Sequence, residues 1–595
     1  MAPKYEGHVL LVVILTILDI LQVWTNKFLA WSRRKPEKDV LLERLRNAKD
    51  YEEWYAAAEG LDGLTAAHQW RFNPIDPQYN YRLIQERTKA LYHKRRSGDI
   101  PELTSYLRHG LFRNIYGITK LGLYNKTYAN TKENIHMCLD VTVDSIWTIA
   151  ESSKANGPRG LRLNPQQVID NIQAARQTYG TSALMLQGGS IFGLCHLGVV
   201  KALLEQNCLP RVIVGTATGA LMAALVGIHT KEELPEFLSG ERLDLSAFAA
   251  SSTRAKERQA AEKDLLGRVQ PEGVPPGWFN ILGRRASRFA VEGFLLDPEV
   301  LIECIKANVG DITFAEAYER TGCILNIVVS PPTEEIPSLM NYLTAPNVLI
   351  RSAAMISHIT NVVYQHKRPS ISLLSKDPNG NIEVVEIAIP EKDMRRSSQH
   401  AGSRAARDHP TRRLRQQFNV DHFIISQARP YLAPFIQPSL PYIRGRDRSW
   451  PRHILTGLIK HTLLIADTFN LLPSSVSRIL SDEQIQGDKF TLVPDLAIKD
   501  WKRMLKNPTK EEVGYWILKG ERCVWPSLCA LKARVSIENA LADAWVEIEK
   551  SKGGNAAGLG VDKNGLMALP PQPVYRADED EEDWGSRRRK VPAKQ

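Results

Sequence analysis

The stretch from Ser182 to Ile228 constrains the fold more than any other part of the chain. It runs ALML, the glycine-rich QGGSIFG, the helical pattern LCHLGVVKALLEQN, the apolar PRVIVG, and then TATGALMAALVGI. Two short apolar runs, each followed by a turn and a helical periodicity, give a strand–helix–strand–helix order. Strands joined through helices lie parallel and are covered on both faces, so the sequence predicts an α/β class with a parallel-sheet core. CILNIVVS (323–330) and DHFIISQ (421–427) share the continuous apolar texture of buried strands.

Before this core, residues 36 to about 155 carry apolar residues at three- and four-residue spacing, as in DVLLERLRNAKDYEEWYAAAEGLD and YNYRLIQERTKALYHKRR. That pattern predicts helices packing as a cap on the core. Residues 235–290 and 388–416 are charged and read as loops or inserts, the second strongly basic. Residues 450–550 return to helix, and from Ser551 the glycines, prolines and the run DEDEEDWGSRRRK read as a disordered tail.

The N-terminal run VLLVVILTILDILQVWT (9–25) predicts membrane contact. As a helix it reaches about 25 Å, slightly short of a ~30 Å hydrocarbon core. Asp19 and Gln22 share one face, Trp24 and Trp31 suit an interfacial belt, and Lys27, Arg33, Arg34 and Lys35 follow. A single span, a monotopic insertion and a buried helix all remain open. Only Lys4 precedes the run while four basic residues follow it, which places the bulk of the chain on the cytoplasmic side. Seven cysteines without a CxxC pair indicate reduced thiols, and Cys195 is expected to pack in the interior.

The net charge of +11 suits nucleic acid or an anionic membrane. With no zinc-finger spacing and no aromatic RNA-binding signature, nucleic acid is not an expected partner. Basic residues 395–415 read equally as a solvated insert or as a contact for anionic headgroups.

GTATG (215–219) stands where a buried strand meets a helix of small residues. The hydrolase elbow G-x-S-x-G needs that setting, because a strained turn exposes its central side chain and the glycines at 215 and 219 let strand and helix approach. The central residue here is Ala217, and a methyl group cannot attack a carbonyl. Thr216 and Thr218 flank it and are expected to point elsewhere. Upstream, Gly188, Gly189, Ser190 and Gly193 open a helix, where backbone N–H groups can hold a phosphate or an oxyanion. The loop is not GxGxxG and no GK[ST] follows, so no nucleotide is expected; no other cofactor and no metal is expected either.

Taken with the elbow, these residues resemble the patatin-like phospholipase family, and more closely its fungal and plant triacylglycerol-lipase branch. The resemblance is carried by GGSIFGLCHLGVVKALLEQNCLPRVIVGTATGALMAALVG, GDITFAEAYERTGCILNIVVS, NYLTAPNVLIRSAA and FNVDHFIISQARPY. It extends over LRHGLFRNIYGITKLGLYNKTYANTKENI upstream and FTLVPDLAIKDWKRMLKNPTKEEVGYWILKGERCVWP downstream, from about residue 40 to 550. It implies a patatin-like sandwich, and with the terminal runs read above the expected division is a membrane anchor (1–35), a helical N-terminal domain (36–180), a patatin-like domain with basic inserts (181–430), a helical C-terminal extension (431–550) and the charged tail (551–595).

The resemblance further implies a Ser–Asp dyad, with the glycine loop holding the oxyanion. Carried over, the loop is Gly188, Gly189, Ser190 and Gly193, the elbow glycines are Gly215 and Gly219, and the nucleophile position is Ala217. The dyad acid belongs in a D-G-[GSA] motif before a D-x-P, which Asp408-His409-Pro410 matches. The earlier motif reads Ala401-Gly402-Ser403, so the acid position is Ala401; Asp393 and Asp408 are the nearest acids. None of the fourteen histidines begins H-x4-D, so the acyltransferase chemistry of some relatives gains no support. His196 is expected to pack or to support the loop.

The expectation is a membrane-associated lipid hydrolase family member that is catalytically impaired and acts in lipid binding or regulation of lipid metabolism. The alternative is an active acyl hydrolase with a non-standard nucleophile. Expected partners are an acyl lipid (triacylglycerol or phospholipid), a membrane or lipid-droplet surface, and an active lipase paralogue. The expected location is the endoplasmic reticulum or a lipid droplet.

Overall fold

The computed structural model describes residues 16–25, 36–65, 67–152, 164–188, 191–246, 298–329, 338–360, 373–385, 410–429, 439–440, 462, 488–497, 500, 503 and 509–553. The chain divides into two compact units, one of residues 1–73 with 126–130 and one of residues 74–125 with 131–595.

In the first unit, residues 16–25 are helical and exposed. The rest of the expected membrane segment lies outside the described residues, among which no helix is long and apolar enough to cross a membrane. Three helices follow: α1 (Glu37–Asn47), α2 (Tyr51–Gly63) and α3 (Ala67–Phe72). The Asp50 carboxylate starts α2 by accepting the Glu53 N–H, and the buried Asp62 carboxylate accepts the N–H groups of Tyr128 and Ala129. Those two bonds join the segment 126–130 to this unit.

The second unit opens with α4 (Tyr81–Ser97), α5 (Ile100–His109), α6 (Glu133–Glu151) and α7 (Pro165–Tyr179). Asn80 and Asp99 cap α4 and α5, and an Asn164–Gln167 capping box starts α7, so each of these starts satisfies an otherwise orphaned N–H.

The chain then enters the sheet through β1 (Thr181–Gly188), α8 (Cys195–Glu205), β2 (Val212–Ala217) and α9 (Thr218–Gly227). Next come α10 (Leu234–Leu238), α11 (Pro298–Val309), α12 (Phe314–Thr321), β3 (Ile324–Val328), β4 (Leu339–Met340) and α13 (Ile350–Thr360). The hairpin β5 (Leu373–Lys376) and β6 (Ile382–Val385) stands apart as a two-stranded sheet. The described elements end with α14 (Pro410–Phe418), β7 (Val420–Ala428), β8 (Asp488–Leu492), α15 (Lys510–Val524) and α16 (Leu528–Gly553).

The main sheet has the order β4-β3-β2-β1-β7-β8. It is parallel throughout except at β4, which pairs antiparallel with β3. The sheet is therefore mixed at one edge, where the sequence implied parallel strands alone. Ala183, Met185, Val212, Val214, Phe423 and Ile425 point to one face and pack on Leu414 and Phe418 of α14. Every residue of α9 is buried, as a helix apolar on all sides must be.

Two expectations need correction. Residues 410–416 read as part of a charged loop, yet α14 covers them: Thr411, Leu414 and Phe418 recur at helical spacing and bury one face while the arginines lie along the others. The region 450–550 read as helical, yet β8 within it extends the main sheet beside β7. DKFTL is an edge strand with its first two residues exposed, so it lacks the continuous apolar run of a central strand.

Candidate functional site

The site is built where β2 ends. Ala217 closes the strand and caps α9 with φ 55° and ψ −125°, outside the regions a side chain ordinarily allows. Such a conformation costs roughly 1–3 kcal/mol and persists only where its surroundings impose it. The surroundings are close. A Cβ at Gly219 would stand 2.0 Å from the Leu186 carbonyl oxygen, and one at Gly215 would stand 2.5 Å from the Ala220 Cα. The chain thus turns from strand to helix in backbone contact with β1.

Ala217 itself is half-buried, at the carboxyl end of the sheet, where open α/β folds bind their ligands. The side chain offered there is a methyl group. Gly188, the last residue of β1, is the ladder partner of Ala217 on one side and of Ala428 on the other. Gly193 lies in the short turn Ile191–Leu194 that opens α8, and a Cβ on it would meet Thr218 Cγ2 at 2.6 Å. The structure therefore brings Gly188, Gly193, Gly215 and Gly219 around Ala217. Gly189, Ser190, Asp393, Ala401 and Asp408 lie outside the described residues.

Beneath the glycine turn is a buried polar layer. His196, one residue into α8, sets its Nδ1 2.8 Å from Ser426 Oγ on β7, and both residues are fully buried. Burial pulls His196 down to about 3, so the ring is neutral. At the next step of the ladder, Gln427 Nε2 donates to Gln187 Oε1 at 3.1 Å. The His196–Ser426 hydrogen bond thus ties the start of α8 to β7. Cys195 is fully buried and burial pushes its thiol well above its usual range, so it packs as a thiol.

Three neighbours of the elbow escaped the sequence reading. Ser357 Oγ on α13 accepts the Ala217 N–H at 3.2 Å and donates to the Val328 carbonyl at 2.6 Å. His358 Nδ1 stands 3.4 Å from Thr218 Oγ1, and burial lowers this ring to about 4. Ser426 is the third. The stretch RSAA (351–354) just before them belongs to a family motif, but nothing in the pattern ISHIT (356–360) marks its serine and histidine as neighbours of residue 217.

Parallel strands feeding a strained elbow, with a glycine turn alongside, define an α/β protein on the acyl-hydrolase plan. Residues 184–369 match the family model described as patatin-like phospholipase, and residues 29–177 match a domain of unknown function, DUF3336. The chain is 30% identical to triacylglycerol lipase ptl1 of Schizosaccharomyces pombe over 83% of each chain. It is 28% identical to triacylglycerol lipase ptl3 of the same organism, covering 86% of this chain and 98% of the relative. With triacylglycerol lipase 4 of Saccharomyces cerevisiae the identity is 30% over 85% of this chain, which spans about half of that relative's length (53%). The chain belongs to the patatin-like triacylglycerol lipase family.

Proposed function

We propose that this protein binds acyl lipid, triacylglycerol or phospholipid, at a hydrolase-type site whose serine route is closed. In this reading it serves lipid metabolism by binding lipid or by regulating an active lipase paralogue. The observation that carries the reading is Ala217: the elbow keeps its strained backbone and its glycine contacts but presents a methyl group where a nucleophile belongs. Ala401, at the position the family resemblance gives to the dyad acid, supports the same reading from the sequence.

The protein acts at a membrane or lipid-droplet surface on the cytoplasmic side, with the endoplasmic reticulum as the membrane. Supporting this, Ile17, Leu18, Ile20, Leu21, Val23 and Trp24 are all about half exposed or more on one short helix, an apolar surface suited to a lipid interface. The basic residues 27 and 33–35 follow it in sequence.

The test compares triolein and short-chain ester hydrolysis by the wild type, Ala217→Ser, and Ala217→Ser with Ala401→Asp, alongside flotation of each with triolein droplets. The wild type floats with the droplets and turns over at least about a hundredfold more slowly than the double variant. Wild-type hydrolysis equal to that of the serine variants, or no binding to droplets, overturns the reading.

A further inference from the structure

The residue after the vacant nucleophile position carries a hydroxyl, and a ring nitrogen of His358 stands 3.4 Å from it. We infer that Thr218 and His358 form a second, slower acyl-transfer pair within the elbow, with Thr218 Oγ1 as nucleophile and His358 Nδ1 as its base. The inference rests on the proposed function only in taking this site as one for acyl esters.

Three observations converge on Thr218. Its Oγ1 lies 3.4 Å from His358 Nδ1, a separation in the loose range common for nucleophile–base pairs before substrate binds. Its Cγ2 packs against Gly193, whose missing Cβ leaves room for the threonine side chain next to the glycine turn. It is the first residue of α9, directly after a backbone turn held by Gly215 and Gly219. A hydroxyl, an imidazole and the glycine turn therefore meet within one residue of Ala217. As base, His358 carries its hydrogen on Nε2, leaving Nδ1 to accept from Thr218 Oγ1. Burial keeps the ring neutral at physiological pH and also makes it a weak base, which is why the pair is slow.

The chemistry balances with water as the only co-reactant. Thr218 Oγ1 adds to the ester carbonyl carbon as its proton passes to His358 Nδ1. The bond from that carbon to the alcohol oxygen breaks, and the departing oxygen takes the proton from His358 and leaves as the alcohol. Water then adds to the acyl-threonine and gives a proton to Nδ1. The carboxylic acid departs as the proton returns to Thr218 Oγ1.

The experiment incubates the full-length chain with an alkyl fluorophosphonate and maps the adduct by peptide mass spectrometry. The phosphonyl group is expected on Thr218 with loss of fluoride. Thr218→Ser keeps the label, Thr218→Val loses it, and His358→Asn lowers its rate by about a hundredfold. Far-UV circular dichroism checks that each variant is folded, and His358→Asn carries the test if the valine variant is not. No adduct on the wild type, an adduct elsewhere, or unchanged labelling in His358→Asn overturns the inference. None of these outcomes touches the proposed function, which fails only if droplet binding is absent or the serine variants gain no activity over the wild type.

Discussion

The backbone N–H of Ala217 donates to the hydroxyl of Ser357 at 3.2 Å, and that hydroxyl passes its own hydrogen to the Val328 carbonyl. One fully buried serine therefore links the elbow to the carboxyl end of β3 and helps hold the strained turn although no nucleophile uses it.

That strain can be measured. Glycine adopts φ 55° without a Cβ penalty, so Ala217→Gly releases strain of roughly 1–3 kcal/mol and loses roughly 0.5–1 kcal/mol to unfolded-chain entropy. The variant should be more stable by about 1 kcal/mol in urea unfolding. Ala217→Val, β-branched at the same φ, should be less stable than wild type. A glycine variant no more stable than wild type would show that the turn is unstrained.

At the opposite end of the strands a second buried network closes the fold. Arg113 Nη1 lies 3.1 Å from both Ser182 Oγ and Glu538 Oε2, and Arg113 Nη2 lies 3.1 Å from Asp421 Oδ1. Ser182 in turn donates its N–H to Glu538. Removing one partner of a buried pair leaves the other charge uncompensated. Arg113→Met should therefore lower unfolding stability by about 3 kcal/mol, and adding Glu538→Gln should recover part of the loss. Equal stability of the single and double variants would argue against the coupling.

Buried neutral histidines give the fold a pH dependence of definite sign. Burial holds His196 at about 3 and His422 well below the ordinary 6.5, so the unfolded chain binds more protons than the native one as pH falls below 6.5. Their contribution is fully present above about 6.5 and is lost as pH falls toward their native values. Asp421, whose carboxyl is raised by burial, works in the opposite direction. The melting temperature should drop between pH 6.5 and 4, and His196→Gln should flatten that slope. A melting temperature that stays level across this interval would contradict the assignment.

The central sheet was legible because Ala183–Leu186 and Val212–Val214 are buried on both faces, which forces an unbroken apolar run. The elbow was legible because its glycines answer a local steric demand made by Leu186 and Ala220. β8 escaped notice because an edge strand buries only part of its surface, and α14 because its arginines mask three buried positions. Ser357 and His358 escaped for another reason. Each meets the elbow across 140 residues of chain, and no local pattern encodes a contact made by the topology.

The strand order also sets a timetable. β1 lies next to β7, and the Ser182–His422 contact between them spans 240 residues. A ribosome working at roughly 5–20 residues per second needs about 12 to 48 seconds to deliver that partner. Through that interval the newborn β1 carries an open hydrogen-bonding edge on one side, a template for mispairing. The cell must shelter this edge during synthesis, so the yield of soluble protein should depend on chaperone supply and on the speed of translation between residues 188 and 420.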